Sequence, residues 1–408
     1  MRTNIVALLA WLAFAPLAPA IPIMPMPEPI YEAPIERALD NVAAMDGLEL
    51  ARREQLLGRL NLLAYARNDA PFTYVRADNR LILSGSAPCE QVAQRQMRPD
   101  EKPDFGPGDR CAGFEFHLGP QPEILASPPA TPNRDALARL YAARAHYARA
   151  VGLDRADLRS RLGYAYTLDR SGHLSAARQQ LRIIIRLGLP LLAAEHADWE
   201  THAVLTEAAE HLSHVARSAG DRARVAQLRD RLARSQPVIY VTPMLVPLSD
   251  RPFAQLIDRA SSIAFDFAGT GDRRAQGWLT PDAAWLVWDP RGRGQVRSGF
   301  DMIGQRTWAV FWSDGFQALR ALDDNRDGEL TGAELGGLAL WRDLNGNGVS
   351  DSGEVTPAQA NDIAALSVRG RQTRPGLLTA PAGVRLGDGT IRPLYDWTPS
   401  LERETPVS

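Results

Sequence analysis

Two twelve-residue stretches carry the side chains with the clearest chemical purpose: 323–334, reading DDNRDGELTGAE, and 343–354, reading DLNGNGVSDSGE. Both set carboxylate or amide oxygens at positions one, three and five, a glycine at six and a glutamate at twelve. This is the pattern D-x-[DN]-x-[DN]-G-x5-E, suited to calcium, a hard cation that takes about six to eight oxygens at roughly 2.3–2.6 Å. In the first stretch the expected donors are the side chains of Asp323, Asn325 and Asp327 and the backbone carbonyl of Glu329. Thr331 would add an oxygen directly or through water, and Glu334 would close the shell with both carboxylate oxygens. The second stretch offers Asp343, Asn345, Asn347, the carbonyl of Val349, Asp351 and Glu354. Gly328 supplies the positive φ that other residues resist. Leu330 stands where the motif wants an apolar anchor, and Ser350 replaces it in the second stretch. Each stretch brings three carboxylates among its donors, so two calcium ions are the expected cofactors. The competing reading is a pair of Asx- and Gly-rich surface turns holding no ion.

Only residues 335–342 separate the two loops. That spacing predicts one short helix serving both, buried through Leu338, Leu340 and Trp341, and hence coupled calcium affinities. The layout resembles the EF-hand-type tandem calcium loops of dockerins and of large exported haemolysin-type bacterial proteins. Upstream, the chain from Ile263 to Val355 resembles a block that recurs in exported calcium-binding bacterial proteins. Two turns of that block depart from the resemblance. Asp266 is followed by Ala268 and Thr270, and Asp289 by Arg291 and Arg293, where acidic ligands would stand. These turns are expected to hold strand geometry without an ion. The resemblance implies calcium binding and no catalytic activity.

The elements that must position these loops follow from patterning along 408 residues with a formal net charge of −2. So small a charge gives no global basic field, which sets nucleic acid aside as a partner. Residues 1–20 read as a secretion signal, with Arg2, an apolar run from Ile5 to Leu17 and the small-residue site Ala18-Pro19-Ala20. An uncleaved anchor is the alternative; no membrane span is expected after cleavage. A proline-dense spacer occupies 21–34. Export to the periplasm or beyond predicts a disulfide between Cys89 and Cys111, which stabilises by roughly 3 kcal/mol in the chain-entropy model. Two free thiols are the competing state.

The fold class expected is α+β. A small α+β segment at 35–130 comprises a helix from Ile35 to Ala66, a hairpin through FTYV and RLILSG, and an irregular loop from Ala87 to Gly113. Residues 131–236 carry amphipathic helices. The run LGYAYTLDRSGHLSAARQQL, turning at Gly172, resembles a tetratricopeptide hairpin, and a weaker echo turns at Gly220-Asp221. That family implies a concave face for an unidentified protein partner. Residues 237–408 read as a mixed domain with strand-like runs VIYVTPMLVPL, SSIAFDF and AWLVWD, and a terminal hairpin turning at Gly387-Asp388-Gly389.

Six of nine tryptophans lie between Trp278 and Trp341. Exposed, they would stack on sugar rings; their alternation with Leu286 and Val287 reads as strand core. His196, His202, His211 and His214 share a region with Glu200, Glu207 and Glu210, without zinc or di-iron ligand spacing. No hydrolase, phosphate-loop or glycosidase signature is evident. The sequence thus points to a non-enzymatic, exported calcium-binding protein with a helical interaction domain. A calcium-dependent carbohydrate-binding module is the alternative, and an enzyme with a site between the helical and mixed domains a third possibility.

Overall fold

A computed structural model describes residues 33–69, 75–77, 80–88, 110–117, 134–193, 199–216, 218–234, 241–267 and 273–398. The signal segment, nearly all of the spacer and Cys89 lie outside the described residues, as does the side chain of Cys111, so the disulfide lies outside them too. Helices dominate the N-terminal part and strands the C-terminal part, which makes the fold α+β.

The helices are α1 (Ile35–Ala43), α2 (Leu50–Asp69), α3 (Arg134–Leu153), α4 (Leu158–Arg170), α5 (Leu174–Gly188), α6 (Trp199–Val215) and α7 (Ala219–Leu232). The single helix expected from Ile35 is two, because the chain turns at Gly47 with φ +69°. Three strands, β1 (Val75–Ala77), β2 (Arg80–Pro88) and β3 (Arg110–His117), form a small antiparallel sheet. The last part of the expected irregular loop is therefore strand. Tyr147 of α3 wedges between α2 and α4 at two glycines: a Cβ at Gly58 or Gly163 would lie 3.0 or 2.3 Å from its ring. Gly172 turns α4 into α5 with φ +83°, as the spacing predicts. The second hairpin turns earlier than expected, because the Ser218 hydroxyl accepts from Asp221 N at 3.1 Å and caps α7. Asp221 then receives Arg182 of α5 through two bonds of 2.7 Å, and those bonds hold its carboxyl down at about 2.

The strands of the C-terminal part are β4 (Met244–Pro247), β5 (Ile257–Phe265), β6 (Arg274–Leu279), β7 (Ala283–Trp288), β8 (Glu329–Thr331), β9 (Leu338–Trp341), β10 (Val355–Pro357), β11 (Ile363–Ser367), β12 (Arg371–Arg374), β13 (Leu377–Leu386) and β14 (Ile391–Trp397). One short helix, α8 (Gly315–Arg320), precedes the first loop. Nine strands make one antiparallel sheet in the order β10-β9-β7-β4-β14-β13-β11-β8, with β12 on β13. The expected terminal hairpin is β13–β14.

Both faces of this sheet are covered, and the period-two alternation of side chains sorts them. Met244, Val246, Leu286, Leu338, Leu340 and Leu394 join an apolar cluster that runs unbroken into α1–α7. Their neighbours Leu245, Trp285, Val287, Ala339, Trp341 and Trp397 face the opposite way, into a cluster roofed by the β5–β6 hairpin. Full burial contributes roughly 1.5–3 kcal/mol for a leucine, so each central strand is anchored twice. The connector between the loops is accordingly not the helix expected. It is a 3-10 turn at Gly332–Leu335 followed by β9, all four residues of which are buried. Gly336-Gly337 ends any helical path. Gly337 has φ +90°, and a Cβ there would lie 2.6 Å from the Trp288 ring.

Helices and sheet are joined by more than apolar packing. The segment 307–312 is left-handed at Trp308, Ala309 and Phe311 (φ 57°, 57° and 62°). Its carbonyls are held by α2: Arg59 Nε donates to Ala309 O at 2.8 Å and Arg52 donates to Phe311 O. Phe311 lies between two guanidinium groups, those of Arg59 and Arg306, 5.2 and 5.1 Å from its ring centre.

Asp396 on β14 is fully buried; its Oδ2 accepts Gly315 N at 2.6 Å, and Thr242 lies beside the carboxyl. Burial, with the neighbouring Asp314 charge, pushes its carboxyl up to about 8. The folded state therefore keeps a proton that the unfolded chain releases near pH 4, so this group's contribution to stability falls as pH rises from about 4 to 8. The unfolding free energy from urea denaturation should drop between pH 5 and pH 8, and Asp396→Asn should shrink that drop by at least about 1 kcal/mol. An unchanged drop would contradict the assignment.

Candidate metal centre

The first loop leaves α8 and runs into β8; the second joins β9 to β10, whose pairing of Trp341 with Val355 brings its ends together. The two loops fold on one hydrogen-bond scaffold, offset by twenty residues. The opening aspartate accepts from the sixth-position glycine, Asp323 Oδ2 from Gly328 N at 3.1 Å and Asp343 Oδ2 from Gly348 N at 2.8 Å. Position three accepts from position five, Asn325 Oδ1 from Asp327 N at 2.9 Å and Asn345 Oδ1 from Asn347 N at 3.0 Å. Position five accepts from position seven, Asp327 Oδ1 from Glu329 N at 2.9 Å and Asn347 Oδ1 from Val349 N at 2.7 Å. The closing glutamate bridges position two to position nine. Glu334 takes Asp324 N at 2.8 Å and Thr331 N at 3.0 Å, and Glu354 takes Leu344 N at 2.8 Å and Asp351 N at 3.1 Å. Positions four and six are left-handed in both loops: Arg326 and Gly328 at φ 62° and 97°, Gly346 and Gly348 at 68° and 68°.

Burial follows the same plan. Glu334 and Glu354 are 7% and 5% exposed, whereas the middle positions Asn325, Asp327, Asn345 and Asn347 face solvent. Leu330 is fully buried, as an anchor should be. Ser350, at the equivalent position, instead accepts Val296 N at 2.8 Å, a polar anchor in place of an apolar one. The carboxylate of Glu329 pairs with Arg385 at 2.9 Å, which leaves its carbonyl as the atom it would offer an ion. The Thr331 hydroxyl caps the following 3-10 turn. Asp351 accepts from the amides of Asn345 and Asn347 at 2.7 and 2.9 Å, which lowers its carboxyl. Trp341 Nε1 donates to Glu354 Oε2 at 3.4 Å, tying the second loop to the aromatic core.

Among the described residues no group of three or more His, Cys, Asp and Glu side chains converges so as to hold a metal ion. The carboxylates are turned onto the loops' own N–H groups, and a calcium shell also draws on amide and carbonyl oxygens. The atom that tests the fit is Asp323 Oδ1, buried and without a hydrogen bond of full geometry, the Arg326 N–H lying beside the carboxylate. Burial raises the Asp323 carboxyl, and the nearby charges of Glu334 and Asp327 raise it further. A cation between these oxygens would satisfy that atom and relieve that repulsion, so the first loop's residues fit calcium. The second loop fits through the bonds it shares with the first, and there Asp343 Oδ1 also accepts Gly346 N at 2.8 Å.

The other candidates are accounted for otherwise. Both oxygens of Asp289 accept backbone N–H groups, from Arg293 and Gly294 at 2.8 Å each, in a turn that holds itself. Asp266 is buried, and Ala268 and Thr270 lie outside the described residues. Trp278, Trp285, Trp312 and Trp341 are at most 2% exposed and pack edge to face, Trp278 lying 5.5 and 5.6 Å from Trp285 and Trp341. These rings offer no face to a sugar. His202 meets the Leu232 carbonyl, His211 pairs with Asp169, and Glu200 with Arg159, so these three side chains are tied up in helix contacts. The side chains of His196 and His214 lie outside the described residues. One pair of residues at the first loop has no signature in the sequence: Arg37 and Asn41 of α1. Arg37 Nε donates to Asp324 Oδ1 at 2.7 Å, and Asn41 Nδ2 to Asp324 Oδ1 at 2.9 Å and Ala321 O at 3.0 Å.

Comparison with known proteins places both loops inside a recognised unit. Residues 250–384 match the family model of the SPM domain. The chain is also similar to the iron-regulated protein FrpA of Neisseria meningitidis serogroup C, 32% identical over 109 residues. That match covers 26% of this chain and spans 10% of the length of FrpA.

The scaffold can be tested without an ion. Gly348→Ala puts a Cβ 2.7 Å from Ile263 Cγ2 at φ +68°, whereas at Gly346, with the same φ, a Cβ meets nothing within 4 Å. In urea denaturation with chelator, Gly346→Ala should cost about 1 kcal/mol and Gly348→Ala about 2–3 kcal/mol. Equal costs would contradict the packing described.

Proposed function

We propose that this is an exported, non-enzymatic calcium-binding protein whose loops, 323–334 and 343–354, each take one ion and thereby stabilise the C-terminal sheet. One observation carries the reading: two loops twenty residues apart share the same acceptors at positions one, three, five and twelve, left-handed residues at four and six, and a buried closing glutamate. The ion would be held by Asp323, Asn325, Asp327, Glu334 and the Glu329 carbonyl in the first loop, with Thr331 directly or through water. In the second it would be held by Asp343, Asn345, Asn347, Asp351, Glu354 and the Val349 carbonyl. Its role is structural: it ties the start and end of each loop and hence the strands they join. Outside the cytoplasm, sites with dissociation constants of about 10⁻⁴–10⁻³ M are half or more filled, so modest affinity suffices.

The expected coupling between the sites no longer has a shared helix to travel through. Its path is β9, which runs directly from the first loop's closing turn into the second loop. The helical hairpins α4–α5 and α6–α7 would serve an unidentified protein partner. Exposed Tyr141, Leu153, Leu174 and Leu191 on or beside the helical layer, 36–52% accessible, supply apolar surface for it. Among the described residues no helix is long and apolar enough to cross a membrane.

Calcium at about a hundred times its dissociation constant should stabilise the fold by about 2.7 kcal/mol per site. Thermal denaturation should show a higher Tm in calcium than in chelator. Glu334→Gln and Glu354→Gln should each remove part of that gain, and the double variant nearly all of it. A Tm indifferent to calcium would contradict the proposal.

A further inference from the structure

The two loops differ at position two, and the difference is where α1 sits. In the second loop that position is Leu344, 58% exposed. In the first it is Asp324, whose carboxylate receives Arg37 Nε at 2.7 Å and Asn41 Nδ2 at 2.9 Å. The same helix reaches the two carbonyls just before the opening ligand: Asn41 Nδ2 donates to Ala321 O at 3.0 Å and Arg37 to Leu322 O. Arg320 closes the contact from the other side by donating to Asp46 O, just beyond α1. Asn41 is 6% exposed, and Ile35, Ala38, Leu39 and Val42 are buried around it. The backbone of Asp324 is engaged as well, since its N–H donates to Glu334 Oε1 at 2.8 Å. Asp324 is thus gripped on its side chain by α1 and on its backbone by the glutamate that would close the calcium shell.

We propose that α1 is a latch on the first loop, with Arg37 and Asn41 as positioning residues for the ion at Asp323–Glu334, so that calcium binding and latch closure strengthen each other. This rests on the calcium reading above. An ion fixes Glu334, Asp323 and, between them, Asp324 in one arrangement, and the latch fits that arrangement. Linkage then requires the reverse effect by the same factor: a closed latch tightens the ion. The second loop has no such helix at position two, and its ion should not respond.

Calorimetric calcium titration of the full chain and of an Arg37→Ala/Asn41→Ala variant tests this. Two ions should bind in both, with one site weakened about five- to tenfold in the variant and the other unchanged. Equal affinities in the two proteins would overturn the latch while leaving the calcium reading intact. No binding by the unaltered chain would overturn both, and that outcome is distinct. Hydrogen exchange on the unaltered chain is independent of whether the variant folds. Calcium should slow exchange in 38–43 more than in α7, and Glu334→Gln should abolish that excess while Glu354→Gln retains it. A uniform change across α1 and α7 would overturn the proposal.

Discussion

Six residues, Gly332 to Gly337, carry the chain from β8 at one end of the sheet to β9 next to the other end. In a flat sheet, six strand spacings of about 4.8 Å would set those strands roughly 29 Å apart. Seven peptide steps span at most about 25 Å, and less here because four of the residues form a 3-10 turn. The sheet must therefore curl until its ends approach, and Gln359 Nε2, donating to Gly332 O at 2.9 Å, stitches them. Both candidate calcium loops lie at that seam. The first contains β8 and closes in the 3-10 turn that follows it, and the second joins β9 to β10.

The curl also settles what covers the sheet. One face meets the helices in a continuous apolar cluster, the other meets the indole and phenyl rings under β5–β6. Each loop is consequently anchored to a different layer. Leu330 and the α1 contacts root the first loop on the helical side. Trp341 to Glu354 and Ser350 to Val296 root the second on the aromatic side. A loop that must hold several oxygens around one point loses less conformational entropy on binding when its ends are already fixed. Ions at the seam would in turn oppose its opening, which is why stabilisation is the role that fits.

The loops were legible because their information is local: residue types at fixed spacing dictate Asx acceptors, left-handed glycines and a returning glutamate within twelve residues. The helix order, the turn at Gly172 and the terminal hairpin were legible for the same reason. The connector was misjudged because Leu338, Leu340 and Trp341 satisfy a helical spacing and a two-sided strand equally well. The deciding facts were the Gly336-Gly337 break and the availability of partners on both sides, β7 and β10, which is tertiary information. The docking of α1 was invisible for a stronger reason. Arg37 and Asp324 are 287 residues apart, and nothing in either neighbourhood marks one for the other. The tryptophans could be placed as core from their alternation, but the pairing of Trp341 with Glu354 required the loop to be folded first.

The central claim is that the two loops are ion sites rather than self-satisfied turns, and it reduces to a count. Equilibrium dialysis of the full chain against radiolabelled calcium at millimolar concentration measures bound ions per molecule directly. Two per chain, falling to one in Glu334→Gln and in Glu354→Gln, is the predicted result. None bound by the unaltered chain, with the fold intact, would mean that the hydrogen-bond scaffold is the whole purpose of these residues.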